Sequence, residues 1–185
     1  MYDIDIIKND LKNNMSEYRY NHSLMVANEA RELALRYGYD ADKAYLAGLV
    51  HDIAKEFSYE DNLKYIEKYN LSKDLLKEEN RNIMHADIGS VVVRDLYDLD
   101  DDMSKAILYH TIGNKDMNIL AKIVFIADKI GRENNNVIDK YKKAAYEDID
   151  KAIIMYLEDG KDILANKGKV QHPDSIELLD YLKNE

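Results

Sequence analysis

Cysteine is absent from the 185 residues, which excludes disulfides, zinc–thiolate sites, iron–sulfur clusters and thiol catalysis. Proline occurs once and glycine seven times. That is too few breakers for the many tight turns of an all-β fold, so helix is the expected secondary structure. Positive charge is also scarce: 26 Lys and Arg face 36 Asp and Glu, a formal net charge of −10. Diffuse binding to nucleic acid or to an anionic membrane surface is thereby disfavoured, and any phosphate must be met locally, by a metal ion or a few placed cations. No apolar run approaches the ~18 residues of a membrane span, and the opening stretch MYDIDIIKNDLKNN carries acids where a signal peptide needs basic and then apolar residues. These absences predict a cytoplasmic protein with no nucleic-acid or membrane partner.

Hydrophobic residues make up 46% of the chain and charged residues 34%, enough to bury a core. The length fits one domain of the usual ~100–200 residues, and no linker or repeat interrupts it, so a single domain over 1–185 is expected. Apolar spacing of three and four predicts about eight helices and no strand. They are placed at 20–37, closed by Gly38; at 40–54, capped by Asp40; and at 58–69, opened by Ser58 in a capping-box variant. Others begin near Met84 and at Asp100 or Asp101, and three more span 117–130, 146–166 and 174–182.

Four of the five histidines fall on the inward faces of four different helices. His22 lies four residues before Val26, and His51 four after Ala47; His85 lies three before Ile88, and His110 three after Ile107. A buried neutral imidazole needs partners for both ring nitrogens, and four on separate helices exceed what a core usually accommodates. Two acids join them: Asp52, next to His51, and Asp128, at the end of the apolar run Ile123–Ala127. A carboxylate on an apolar face is costly unless it is paired or ligates a cation. Each histidine alone reads more readily as a hydrogen-bonded core residue; the ordered set reads as a metal site of nitrogen and oxygen donors. Six donors are too many for one ion that must also hold substrate and water, so two metals sharing a carboxylate are expected.

The order H…HD…H…H…D resembles the HD-domain superfamily of metal-dependent phosphohydrolases. The segments at 19–55, 84–93 (MHADIGSVVV), 106–113 (AILYHTIG), 120–130 (LAKIVFIADKI) and 168–182 (GKVQHPDSIELLDYL) are similar to the YqeK family in particular. The resemblance implies an all-α, HD-type helical bundle. It implies symmetrical hydrolysis of dinucleoside tetraphosphates, diadenosine tetraphosphate giving two ADP, by a metal-activated hydroxide. It further implies that His22, His51, Asp52 and Asp128 hold one metal, that Asp52 bridges to a second held by His85 and His110, and that the pair is a di-iron centre. Another HD-type reaction, a nucleotidase or phosphodiesterase, is the alternative; a di-iron oxygenase and a non-catalytic nucleotide-binding module are further ones. A homodimer is compatible with the sequence.

Arg19 and Lys55 join Asp52 as catalytic candidates. Arg19, three before His22, can reach a phosphate or simply point to solvent; Lys55, four after His51, can stand beside the metals or serve a helix terminus. Thr111, Gly113 and Arg132 are further substrate-contact candidates, although Thr111 and Gly113 can equally terminate a helix. The stretch 131–136 departs from the Pro-Gly-Arg turn usual in the family, which bears on substrate preference and on Arg132. His172, before the single proline, is assigned to capping or packing of the tail, and Tyr45 and Tyr141 to the edge of the core.

Overall fold

The computed structural model describes residues 3–132 and 136–184. They form ten α-helices, two short 3-10 helices and no strand: α1 Ile4–Asn14, α2 Glu17–Arg36, α3 Ala41–Val50, α4 Tyr59–Lys68, α5 Met84–Tyr97, α6 Asp101–Tyr109, α7 Ile119–Ile130, α8 Asn136–Glu147, α9 Ile149–Ala165 and α10 Pro173–Asn184. The 3-10 turns Lys73–Leu76 and Glu78–Asn80 lie between α4 and α5. The all-α class is as expected, with ten helices in place of about eight.

Both extra helices have local causes. Asp3 caps α1 through Ile6 N, and α1 buries only Ile7 and Leu11, too thin a stripe to stand out by periodicity. The other extra helix, α8, occupies 136–147, where none was expected, and it is separated from α9 at Asp148, which is extended and accepts from the amides of Asp150 and Lys151, so the helix expected from 146 starts at Ile149. Those amides would otherwise be unsatisfied at a helix start. Similarly, α3 ends at Val50 rather than at residue 54. The chain beyond it tightens into three-residue turns, Ile53 N to Val50 O and Lys55 N to Asp52 O.

Helix α7 is the axis. Nine of its twelve residues are buried, from Leu120 to Ile130, as expected of a helix enclosed on all sides. It packs against α2, α3, α6, α8 and α9, and α2 lies along α3 at very close range. A Cβ on Gly48 would stand 2.9 Å from Ala27 Cα, so only glycine permits this approach. The bundle leaves the C-terminal ends of α3, α6 and α7 and the N-terminal end of α5 facing a common point beside α2.

Candidate metal centre

The six sequence-identified donors meet at that point. His22 comes from α2, His51 and His110 close α3 and α6, Asp52 follows His51, His85 sits in the first turn of α5, and Asp128 near the end of α7. None is more than 7% exposed. His51 and His110 are held by the same device: each ring Nδ1 lies against the carbonyl three residues back, 2.7 Å from Gly48 O and 2.6 Å from Ile107 O. A carbonyl can only accept, so Nδ1 carries the proton and a neutral ring turns its Nε2 lone pair inward.

Those lone pairs face one another and two carboxylates. Asp52 Oδ1 stands 3.1 Å from His85 Nε2 and 3.5 Å from His110 Nε2. Asp52 Oδ2 stands 3.5 Å from His51 Nε2 and 3.9 Å from His22 Nε2. One carboxylate thus offers an oxygen to each side, the arrangement a bridging ligand requires. Asp128 Oδ1 lies 3.1 Å from His22 Nε2 and 3.6 Å from His51 Nε2, while His85 and His110 bring their Nε2 atoms to 3.1 Å of each other. Ligand atoms of His22, His51 and Asp128 fall within 4.8 Å of one another, as do those of His51, Asp52 and His110. His51 therefore belongs to both groups.

The fit to a cation is shown by His51 Nε2, a buried nitrogen with no hydrogen-bond partner that faces acceptor oxygens. Without a cation, a proton takes that place. His51 is raised to about 10 because the charges of Asp52 and Asp128 outweigh its burial. Burial would raise both carboxyls, yet the facing cations hold Asp52 and Asp128 well below the usual carboxylate range. His85, in contrast, is pushed down to about 4, chiefly by burial. Metal binding here displaces protons.

Above the donors opens a cleft of about 820 Å³ whose lining includes the substrate-contact candidates Arg19, Lys55, Thr111 and Arg132. The Arg19 guanidinium donates to Asp52 Oδ2 at 2.5 Å, and the Lys55 ammonium is 3.2 Å from the His85 ring nitrogens. Arg132 donates to the Asp128 carbonyl at 2.9 Å and is half exposed. Its neighbours 133–135, within the atypical stretch, lie outside the described residues.

Gly113, proposed as a substrate contact, is not among the residues lining the cleft. Its φ of +74° turns the chain, and a Cβ there would stand 2.4 Å from Leu178 Cδ2, so it serves the packing of α10. His172 accepts from Asp174 N and so caps α10, as assigned, while Tyr45 and Tyr141 are buried at the core edge.

Lys129 is the residue that sequence reasoning missed. Its ammonium is buried, donating to Asp128 Oδ2 at 2.7 Å and to His110 O at 3.1 Å, and lies over the rings of Phe125 and Tyr156. It fixes the Asp128 oxygen that does not face the histidines. The available signal was its position next to Asp128 at the end of an apolar run.

Residues 19–133 match the HD domain family. The chain is 33% identical over 176 residues, 93% of either chain, to the symmetrical bis(5′-nucleosyl)-tetraphosphatase of Bacillus subtilis (strain 168). It is 33% identical over 183 residues, 96% of this chain and 93% of the relative, to the protein of the same name from Staphylococcus aureus (strain NCTC 8325 / PS 47). A crystal structure from Clostridium acetobutylicum, described as a "predicted HD superfamily hydrolase involved in NAD metabolism", superposes with a TM-score of 0.88 at 33% identity, covering 100% of this chain and 98% of that one. The HD-domain match over residues 19–133 and the identity to these relatives over nearly the whole length place this all-helical chain, with its buried two-sided histidine–carboxylate cluster, in the HD-domain family, among the symmetrical bis(5′-nucleosyl)-tetraphosphatases.

Proposed function

We propose that this protein hydrolyses dinucleoside tetraphosphates at the centre of the phosphate chain, diadenosine tetraphosphate and water giving two ADP. The observation that carries the reading is the buried His51 Nε2, without a hydrogen-bond partner between the carboxylates of Asp52 and Asp128, which themselves line a cleft with four cationic side chains, Arg19, Lys55, Lys129 and Arg132. The relatives' shared name supplies the substrate.

In this reading His22, His51, Asp52 and Asp128 hold one divalent metal, and Asp52, His85 and His110 a second. Iron is the proposed metal, in keeping with imidazole and carboxylate donors and no thiolate. Bound metals of this kind supply a water of lowered pKa and neutralise phosphate charge. Asp52 is the shared ligand. Lys129 keeps Asp128 turned toward His22 and His51, and partial burial holds the Lys55 pKa down. Arg19 and Lys55 stabilise negative charge gathering on the phosphoryl oxygens; Thr111 and Arg132 contact the outer phosphates. The chain acts as one unit over 1–185, supported by a continuous core from Ile7 to Leu182. A cytoplasmic location fits the acidic composition, and no helix among the described residues is long and apolar enough to cross a membrane.

Hydrolysis in ¹⁸O-water tests the reaction. Attack on an inner phosphorus breaks its bond to the central bridging oxygen, so one ADP carries a single ¹⁸O on its terminal phosphate and the other carries none. AMP as a primary product, or no turnover by the metal-loaded protein, refutes the reading.

A further inference from the structure

A second cleft, of about 470 Å³, adjoins the first and shares Lys55, Asn82 and His85 with it. Lys55 Nζ touches both His85 ring nitrogens and lies 3.5 Å from the Asn82 carbonyl, so these residues form the ridge between the two. The first cleft is lined by five of the six donors, His22, Asp52, His85, His110 and Asp128; the second reaches the cluster only at His85. Both volumes fall within the usual ~300–1,000 Å³ of small-molecule sites.

Each cleft carries an exposed aromatic ring. Among the described residues only three tyrosines are exposed, Tyr18, Tyr59 and Tyr181. Tyr18, 77% exposed, lines the first cleft, with the Arg19 guanidinium over its ring; Tyr59, 61% exposed, lines the second at the start of α4. The second cleft also has cationic chains at its mouth. Lys77 and Arg81 are held only by exposed pairs, to Asp74 at 2.9 Å and to Glu78 at 3.4 Å. Exposed pairs of this kind are weak and exchange readily for another anion. In a chain of net charge −10, an aromatic ring beside placed cations has the chemistry of a nucleotide subsite.

A cut at the centre of a symmetrical dinucleoside tetraphosphate leaves two equal arms leading away from the metal centre. We infer that the second cleft seats the second nucleoside, with Tyr59 stacking on its base and Lys77 and Arg81 meeting its phosphate arm, while Tyr18 stacks on the base in the first cleft. The centre of the tetraphosphate then crosses the ridge at Lys55 and His85. This rests on the dinucleoside tetraphosphate reading above and adds to it the seat of each half.

The test compares diadenosine tetraphosphate with adenosine 5′-tetraphosphate, which has the same phosphate chain and one nucleoside. Loss of one base stack corresponds to about a tenfold change, the equivalent of about 1.4 kcal/mol. Tyr59→Ala is expected to raise KM for diadenosine tetraphosphate about tenfold and KM for adenosine 5′-tetraphosphate no more than about twofold, since the single base can still use the first cleft. Tyr59→Phe, which keeps the ring, should restore the low KM. A readout independent of turnover comes from Tyr59→Trp, which introduces the only tryptophan of the chain. Diadenosine tetraphosphate with a methylene at its central bridge should quench that emission, and ADP should do so more weakly. Equal KM changes for the two substrates, no change in Tyr59→Ala, or no quench overturns the second seat while leaving the reaction standing. Failure of the unaltered protein to cleave diadenosine tetraphosphate overturns both.

Discussion

Replacing Lys129 by methionine isolates the contribution of a buried cation beside the donor cluster. The swap keeps the volume and the packing on Phe125 and Tyr156 while deleting the bonds to Asp128 Oδ2 and His110 O. Burial works against the Lys129 charge, yet Asp128 holds its pKa above the usual lysine value, and Lys129 in turn is the foremost of the groups holding Asp128 down. Breaking a buried pair by removing one partner costs about 3–5 kcal/mol, and a domain of this size loses roughly 2–4 °C of Tm per kcal/mol. Lys129→Met is therefore expected to lower Tm by roughly 10 °C. The metals suffer separately: with Asp128 free to turn, their Kd should rise about 10–100-fold, the usual effect of losing a group that orients a ligand. Thermal melts with and without chelator give the first quantity, and calorimetric titration with Fe²⁺ or Mn²⁺ gives the second. A variant that matches the unaltered protein in both Tm and metal affinity refutes the orienting role of Lys129.

Asp52→Ala removes the carboxylate whose two oxygens face opposite sides of the cluster, so elemental analysis should find metal content falling from about two ions per chain to less than one. Retention of both ions would mean that Asp52 does not bridge. Asp100→Ala removes the cap of α6, which accepts from Met103 N and pairs with Lys43 at 2.7 Å; it should cost about 1 kcal/mol, seen as a few degrees of Tm at pH 7. Partial burial opposes ionisation of Asp100, but Lys43 and the helix amides outweigh it and its pKa is lowered. The advantage of Asp100 is thus complete above the unfolded value of about 3.9 and shrinks as pH falls below it, so melts of protein and variant should converge in acid. Gly48→Ala would drive a Cβ to 2.9 Å from Ala27 Cα, backbone that cannot swing aside; a loss of about 1–3 kcal/mol in denaturant unfolding is expected, and an unchanged midpoint would show that α2 and α3 can separate.

Much of this protein was legible locally, because helix signals are carried by neighbours in the chain. Asp40, Ser58 and Asp100 cap helices where their side chains suggested, and α5 begins at Met84 as its spacing indicated. The six donors were identifiable for the same reason: a histidine or aspartate three or four residues from buried apolar neighbours must itself point inward, and an inward polar group demands a partner.

Spacing cannot say which groups from different helices meet. The two oxygens of Asp52 took opposite sides only once α2, α5 and α6 brought His22, His85 and His110 to it, and His51 came to stand within reach of donors on both sides. Lys129 looked like an ordinary basic residue in the last turn of α7; the His110 carbonyl, Phe125 and Tyr156 that enclose it come from α6, α7 and α9. Gly113, two residues from a lining side chain, was claimed by Leu178 of α10. The second cleft was invisible as well: its walls come from consecutive elements between residues 54 and 85, whose folding back on one another leaves no mark in helical spacing. Sequence alone determined the helices, their inward faces and the chemical identity of the donors, since each depends on contacts within a few residues. Tertiary packing alone decided how those donors pair, which cation lies buried among them and where a substrate can reach them, because these depend on distances between helices that no local pattern encodes.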